Sequence, residues 1–191
     1  MAALERCAAI LLAAGLSRRF GPADKLLSDR GGRPLVDHAG ETLASLPLAR
    51  HVAVIRSGAP ALRAILEARG FAIVENDRPE AGMAHSLALG IAAAGDADAA
   101  LIALGDMPQV PAVHFAALCA RVEGPHPVAA SLGLDRVTVP AAFAAARFEA
   151  LRALTGDHGA QGLLAGAATV AIDPALLADV DRQSAARRAH A

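Results

Sequence analysis

The stretch Ala8–Leu27, "AAILLAAGLSRRFGPADKLL", decides the fold. A short, wholly apolar run stops at Gly15 and gives way to a polar loop carrying Arg18, Arg19 and Lys25. Apolar runs of this length that end on glycine fit a strand buried on both faces, so residues 7 to 13 are expected to form one. Glycine at position 15 removes the side chain and opens the backbone amides to a ligand. Amides and cations together at a strand end make an anion site, most naturally one for phosphate groups. The loop lacks GxxxxGK[ST], so it is not a Walker loop. It also lacks GxGxxG, since Gly15 and Gly21 stand too far apart. On charge alone it reads equally well as a solvated basic turn.

Outward from that loop, strand-like and helix-like segments alternate. "LLSDRGGRPLVDHA" places a Gly-Gly turn before a helix expected from about Leu35 to Ser45. "HVAVIRSG" reads as a strand. "PALRAILEARG" opens on proline and closes on glycine, which is helix punctuation. "FAIVEND" is a third strand, "GMAHSLALGIAAAG" a helix with a glycine start, "AALIALGDMP" a fourth strand, and "PAVHFAALCARV" another proline-started helix. This alternation through residue 122 predicts a parallel sheet covered on both faces. Beyond it, "HPVAASL" and "RVTVPAAF" read as a returning pair of strands and "RFEALRAL" as helix. "TGDHGAQGLLAG" reads as a loop with a short helix, "ATVAID" as a last strand, and "DRQSAARRAHA" as a frayed basic helix. No repeat or linker interrupts the chain, so one domain over residues 1–191 is expected. Open parallel sheets bind ligands beyond the carboxyl ends of their strands. Residues 14–25, 76–86 and 105–109 all follow such ends and are expected to converge on one edge.

Composition narrows the function. Aromatic residues make up 3% of the chain, with no Trp or Tyr, which argues against stacking on exposed bases. A net charge of -1 offers no overall attraction to nucleic acid or to an anionic membrane. Cys7 and Cys119 lie in apolar segments and read as buried free thiols; no CxxC or Cys/His cluster suggests zinc. The N-terminus has no basic leader and no apolar run is long enough for a bilayer, so a soluble, cytoplasmic protein is expected. Taken singly, Asp106 and Asp157 read as turn or cap aspartates.

The motifs carry more in combination. "LAAGLSRRFGPADKLL" is similar to the N-terminal signature of the nucleotidyltransferases that resemble molybdenum cofactor cytidylyltransferase (MobA/MocA-like NTP transferases). The matching positions are Leu12, Ala13, Ala14, Gly15, Ser17, Arg19, Phe20, Gly21 and Lys25. "GMAHSLALG", "LGDMPQV", "LTGDHGAQGLL" and "DVD" resemble further segments of that family, in its order.

The resemblance implies a three-layer Rossmann-like α/β sandwich of the nucleotide-diphospho-sugar transferase (glycosyltransferase-A) type with a mostly parallel sheet. It implies that Leu12–Gly15, Ser17, Arg19 and Lys25 bind the nucleotide, with Gly82, Met83 and Ser86 near the base or ribose. His85 is expected to be an exposed residue of the helix's first turn. Asp106 would be a magnesium ligand, completed by Asp181, with Arg19, Lys25 and Asp106 catalytic. Pro140, Gly156, Asp157 and Gly159 would lie on the acceptor side. Pro140 stands here without the Gly-His that precedes it in many members, and Arg182-Gln183 replaces Thr-Pro after Asp181.

The implied reaction is transfer of CMP from CTP to the phosphate of molybdopterin, with Mg²⁺ as cofactor and release of pyrophosphate. Leu-Ala-Ala-Gly is the cytidylyl form of the motif, where guanylyl relatives carry Leu-Ala-Gly-Gly. Two alternatives stay open. One is transfer of another nucleotide, or transfer to a sugar or alcohol phosphate. The other is a non-catalytic nucleotide-binding accessory role in maturation of a molybdenum hydroxylase. No nucleic-acid or membrane partner is expected.

Overall fold

The computed structural model describes residues 3–16, 24–122, 126–157 and 159–179. In chain order its elements are β1 (Cys7–Ala13), β2 (Asp29–Arg30), β3 (Arg33–Pro34), α1 (Leu35–Ala44), β4 (Arg50–Arg56), α2 (Pro60–Ala68) and β5 (Ala72–Asn76). There follow α3 (Met83–Ala93), β6 (Ala99–Leu104), α4 (Ala112–Arg121), β7 (Val128–Gly133), β8 (Arg136–Ala144), α5 (Phe148–Arg152) and β9 (Ala168–Ala171). Single 3-10 turns cover Lys25–Leu27, Pro79–Ala81, Gln161–Leu163 and Pro174–Leu177 among others.

Strand β1 lies within a seven-stranded sheet of order β5-β4-β1-β6-β8-β7-β9. Every residue of β1 is buried. Alternate side chains serve opposite faces, as the two-residue period of a strand demands. Ala9 and Leu11 pack with Val36, Leu43, Leu62, Leu66, Phe115 and Leu118 of α1, α2 and α4. Ala8, Ile10 and Leu12 pack with Leu87, Ile91, Phe148 and Leu151 of α3 and α5. The result is three layers, with helices on both faces of a sheet too apolar to meet water on either side.

The expected alternation is borne out, and β7 and β8 form the expected antiparallel pair. Strand β8 also pairs antiparallel with β6, and so enters the sheet between β6 and β7; the other strands of the sheet run parallel to one another. "RFEALRAL" is helical only in part, as a 3-10 turn over Ala145–Arg147 running into the short α5. The Gly-Gly turn closes the two-stranded β2–β3 ribbon, with Gly31 and Gly32 both at positive φ, where a side chain is disfavoured. The expected C-terminal helix, residues 181–191, lies outside the described residues. No helix among the described residues is long and apolar enough to cross a membrane.

Candidate nucleotide site

The carboxyl ends of β1, β5 and β6 meet on one edge of the sheet, and a cavity of about 440 Å³ opens there. Ala13, Ala14, Gly15, Lys25, Gly82, Met83, Ser86 and Asp106 all line it. The three strand-end segments singled out in the sequence are therefore neighbours in space. The Gly105 N–H donates to the Leu12 carbonyl at 3.0 Å, which sets the start of the Asp106 turn beside the end of β1. A Cβ built on Gly15 would meet nothing within 4 Å, so its backbone faces open space.

Lys25 is held by a small scaffold. Asp24 caps the 3-10 turn, its Oδ1 accepting from Leu26 N at 3.0 Å. Its Oδ2 lies 2.8 Å from Arg56 at the end of β4. Ser28 Oγ donates to the Lys25 carbonyl at 2.7 Å. From this platform Lys25 Nζ reaches Asp106 Oδ2 at 2.6 Å across 81 residues of chain. Both side chains are largely buried, at 12% and 20% exposure, so their charges interact with little screening. The pair thus places one cation and one carboxylate together inside the cavity, at two strand ends.

On the opposite wall, Gly82 precedes α3 with φ of 93°. A Cβ there would lie 2.5 Å from Asp157 Oδ1 and 2.6 Å from the Gly156 carbonyl, so only glycine admits this contact. The Ala84 N–H donates to the Gly156 carbonyl at 3.1 Å, and Gly159 lies against the Met83 side chain. The segment around residue 157 is thus seated on the first turn of α3. His85 is half-buried where the sequence suggested exposure, because α3 packs along both the sheet and α5. Its Nε2 is buried without a hydrogen-bond partner.

A second cavity, of about 490 Å³, adjoins the first and shares Met83, Leu104, Asp157 and Asp179 with it. Its other wall brings Arg136, Thr138 and Val139 from the start of β8 and Gln161 from the following loop. Pro140 itself is buried: its carbonyl accepts from Ser131 Oγ at 2.7 Å, and Ser131 Oγ in turn lies 2.8 Å from His114 Nε2. With the serine proton committed to Pro140, the imidazole donates to Ser131, and burial holds the His114 pKa below its usual range. Pro140, expected on the acceptor side, thus sits behind the second cavity without lining it, because its strand position turns it into the core.

Among the expected site residues, Ser17, Arg19 and Asp181 lie outside the described residues. Two contributors were not singled out in the sequence. Asp179, the first aspartate of "DVD", lines both cavities. Asn76, at the end of β5, is fully buried and donates from Nδ2 to Ser86 Oγ at 2.9 Å.

The described donor set suits a hard divalent cation. Asp106, Asp157, Asp179 and Glu80 bring carboxylates to the cavity, with no histidine or cysteine among the described residues of its lining. No group of three or more acidic, histidine or cysteine residues among the described residues is arranged to enclose a metal ion. Such a lining fits a hard divalent cation that rests on one or two carboxylates and takes its other ligands from water and substrate phosphates.

A mostly parallel sheet with a cleft lined by lysine and carboxylates across its strand ends fits a nucleotidyltransferase. The chain belongs to the MobA-like NTP transferase domain family, whose profile matches residues 9–172. It is 33% identical over 188 residues to the purine catabolism protein PucB of Bacillus subtilis, covering 90% of each chain. It is 38% identical over 103 residues to a molybdenum cofactor guanylyltransferase of Cereibacter sphaeroides, covering 53% of this chain and 51% of that one. The match to the bifunctional protein GlmU of Rhizorhabdus wittichii, 33% over 129 residues, covers 66% of this chain but 28% of that longer protein. Among solved structures, a homologue of Mycobacterium tuberculosis Rv0371c from Mycobacterium sp. strain JC1 has the same fold. Its TM-score is 0.83 at 24% identity, over 97% of this chain and 95% of that one. Rv0371c of M. tuberculosis H37Rv, solved in complex with manganese, matches with a TM-score of 0.75 at 24% identity over 95% and 96% of the two chains.

Proposed function

We propose that the protein transfers CMP from CTP to the phosphate of molybdopterin, releasing pyrophosphate. The observation that carries the nucleotide half of this reading is the Lys25–Asp106 pair inside a cavity walled by Ala13–Gly15 and the first turn of α3. Opening that pair frees a cation for the triphosphate and a carboxylate for the metal. Mg²⁺ held by the cleft carboxylates would supply positive charge against the negative charge that develops as pyrophosphate leaves. Lys25, with Arg19 beside it in sequence, holds the triphosphate, while Asp106 and either Asp179 or Asp181 hold the metal. An acceptor phosphate is already ionised, so the chain supplies alignment and charge and needs no general base.

The choice of CTP rests on Leu12–Gly15 in its Leu-Ala-Ala-Gly form, where the Ala14 methyl narrows the room left for a base. The acceptor is assigned to the second cavity, which Arg136 and Thr138 line and which joins the first at Asp157. The kinship to a molybdenum cofactor guanylyltransferase supports a molybdopterin acceptor and makes GTP the principal rival donor.

Purified protein with Mg²⁺, molybdopterin and each of CTP, GTP, ATP and UTP tests both halves. Pyrophosphate release with CTP alone is expected. Release with GTP instead would overturn the base assignment, and turnover only with a sugar or alcohol phosphate would overturn the acceptor. Tight nucleotide binding without turnover on any acceptor would favour an accessory role in maturing a molybdenum hydroxylase.

A further inference from the structure

We propose that Asn76 is a positioning residue that fixes the Ser86 hydroxyl as a hydrogen-bond donor into the cleft. The pocket then selects a ligand presenting an acceptor, either a carbonyl oxygen or an unprotonated ring nitrogen, at that point. The proposal rests on the reading above, in which the nucleotide base lies against α3, and adds how that wall chooses the base edge it meets.

The orientation of the Asn76 amide follows from its neighbours. Asn76 is fully buried at the end of β5. The Arg78 backbone N–H lies 2.8 Å from one end of the amide. An N–H can only donate, so that end must be the oxygen. The amide nitrogen is thereby turned to Ser86 Oγ, 2.9 Å away. The backbone that sets this geometry is itself anchored, since the Asn76 carbonyl accepts from Ser57 N at 2.9 Å at the end of the neighbouring strand.

Ser86 Oγ consequently accepts. Its own proton finds no acceptor among the described residues, although the residue is 6% exposed and lines the cleft. Serines within helices commonly return that proton to the carbonyl one turn back, as Thr42 does to His38 at 3.0 Å. Ser86 makes no such bond. A buried hydroxyl with an uncommitted proton facing a cavity is expensive to leave unsatisfied, and a ligand acceptor removes that cost. A site built this way rejects ligands lacking the acceptor more strongly than shape alone can.

Asn76→Asp tests the idea nearly isosterically. A carboxylate still accepts from Arg78 N–H, but it also accepts from Ser86, reversing the bond and withdrawing the proton from the cleft. The full-length chain would be titrated calorimetrically, in Mg²⁺ buffer, with CTP and with ribose 5-triphosphate, which lacks the base. The wild type is expected to prefer CTP. N76D and S86A should each cut that preference about tenfold while moving ribose 5-triphosphate affinity by about twofold or less. The double variant should lose no more than either single one, because both remove the same bond. Equal losses for both ligands, or losses that multiply in the double variant, would show a merely structural asparagine and overturn the proposal. Should N76D fail to fold, S86A decides: unchanged preference for CTP overturns the proposal, and a lost one supports it. A wild type that binds both ligands equally overturns this inference alone, whereas one that binds neither removes the nucleotide reading beneath it as well.

Discussion

Two ion pairs of similar length sit in different regions and serve different ends. Between α1 and α2, Arg69 grips Asp37 with two nitrogens, at 2.8 and 2.9 Å. Arg33 and Glu41 extend that grip into a four-residue network running from the buried Asp37 to the exposed Glu41, with Arg33 3.4 Å from Asp37 and 2.9 Å from Glu41. In the cleft, Lys25 Nζ contacts Asp106 Oδ2 at 2.6 Å, joining two separate loops. A forked arginine with two carboxylate neighbours is over-determined and suits a permanent clamp. A lysine is a point charge on a flexible stem, and an ion pair built from one can exchange partners. The geometry of a pair, more than its distance, separates a strut from a site that exchanges ligands.

Breaking the cleft pair should produce the largest effect on activity. Asp106→Asn keeps a hydrogen-bond acceptor for Lys25 but removes the charge. Pyrophosphate release should fall about 10²- to 10³-fold, the loss seen when one preorganised charge-stabilising group is removed. The melting temperature should barely move. Retained activity would sink the metal-ligand assignment. Lys25→Met should likewise abolish most turnover, with weakened triphosphate binding visible by calorimetry.

The Arg69–Asp37 pair should show the mirror image. Arg69→Ala is expected to cost about 1 kcal/mol of stability, discounted from the usual value of a charged hydrogen bond because Arg69 is nearly one-third exposed. Denaturant titration reads this loss, while transfer activity should stay within about twofold of wild type.

Acid sharpens the same contrast. The Arg69 guanidinium holds the Asp37 carboxyl below its usual range. Its stabilisation is therefore complete above the unfolded pKa, about 4, and is lost as the pH falls through the lower folded value. The melting-temperature gap between wild type and D37N should be constant near neutrality and close in acid. A gap that instead widened as the pH fell would contradict the assignment. The smallest effect belongs to Glu41→Gln. Its exposed carboxylate sits at the rim of the network, so a shift of about one degree or less is expected by scanning calorimetry.

The parallel half of the sheet was legible because each of its strands is a short apolar run stopped by Gly, Asn or a polar turn, and its helices open on proline or, for α3, on glycine. The rule that ligands gather at strand ends then placed Gly15, Gly82 and Asp106 together. The placement of β8 was not legible. Alternation of apolar and polar residues reports burial, and nothing in "RVTVPAAF" tells which two strands it will part. Asn76 escaped notice because an asparagine at a strand end ordinarily signals a turn, and it does form one with Arg78. Its reach to Ser86 exists only once β5 and α3 are packed. "DVD" was read for its second aspartate by family likeness, and the described wall of the cleft carries the first, Asp179.

The reversed direction of β8 has a consequence for how such a protein diversifies. Because β8 runs backwards between β6 and β7, the tight connection over residues 133–136 arrives at the second cavity as a hairpin tip. A parallel strand would have required a long crossover to reach the same place. Hairpin tips tolerate replacement and lengthening far better than sheet interiors do. Natural variation or a laboratory graft can therefore rewrite that rim while β1, β5 and β6 keep the opposite chamber intact, making the two chambers separately heritable traits of one chain.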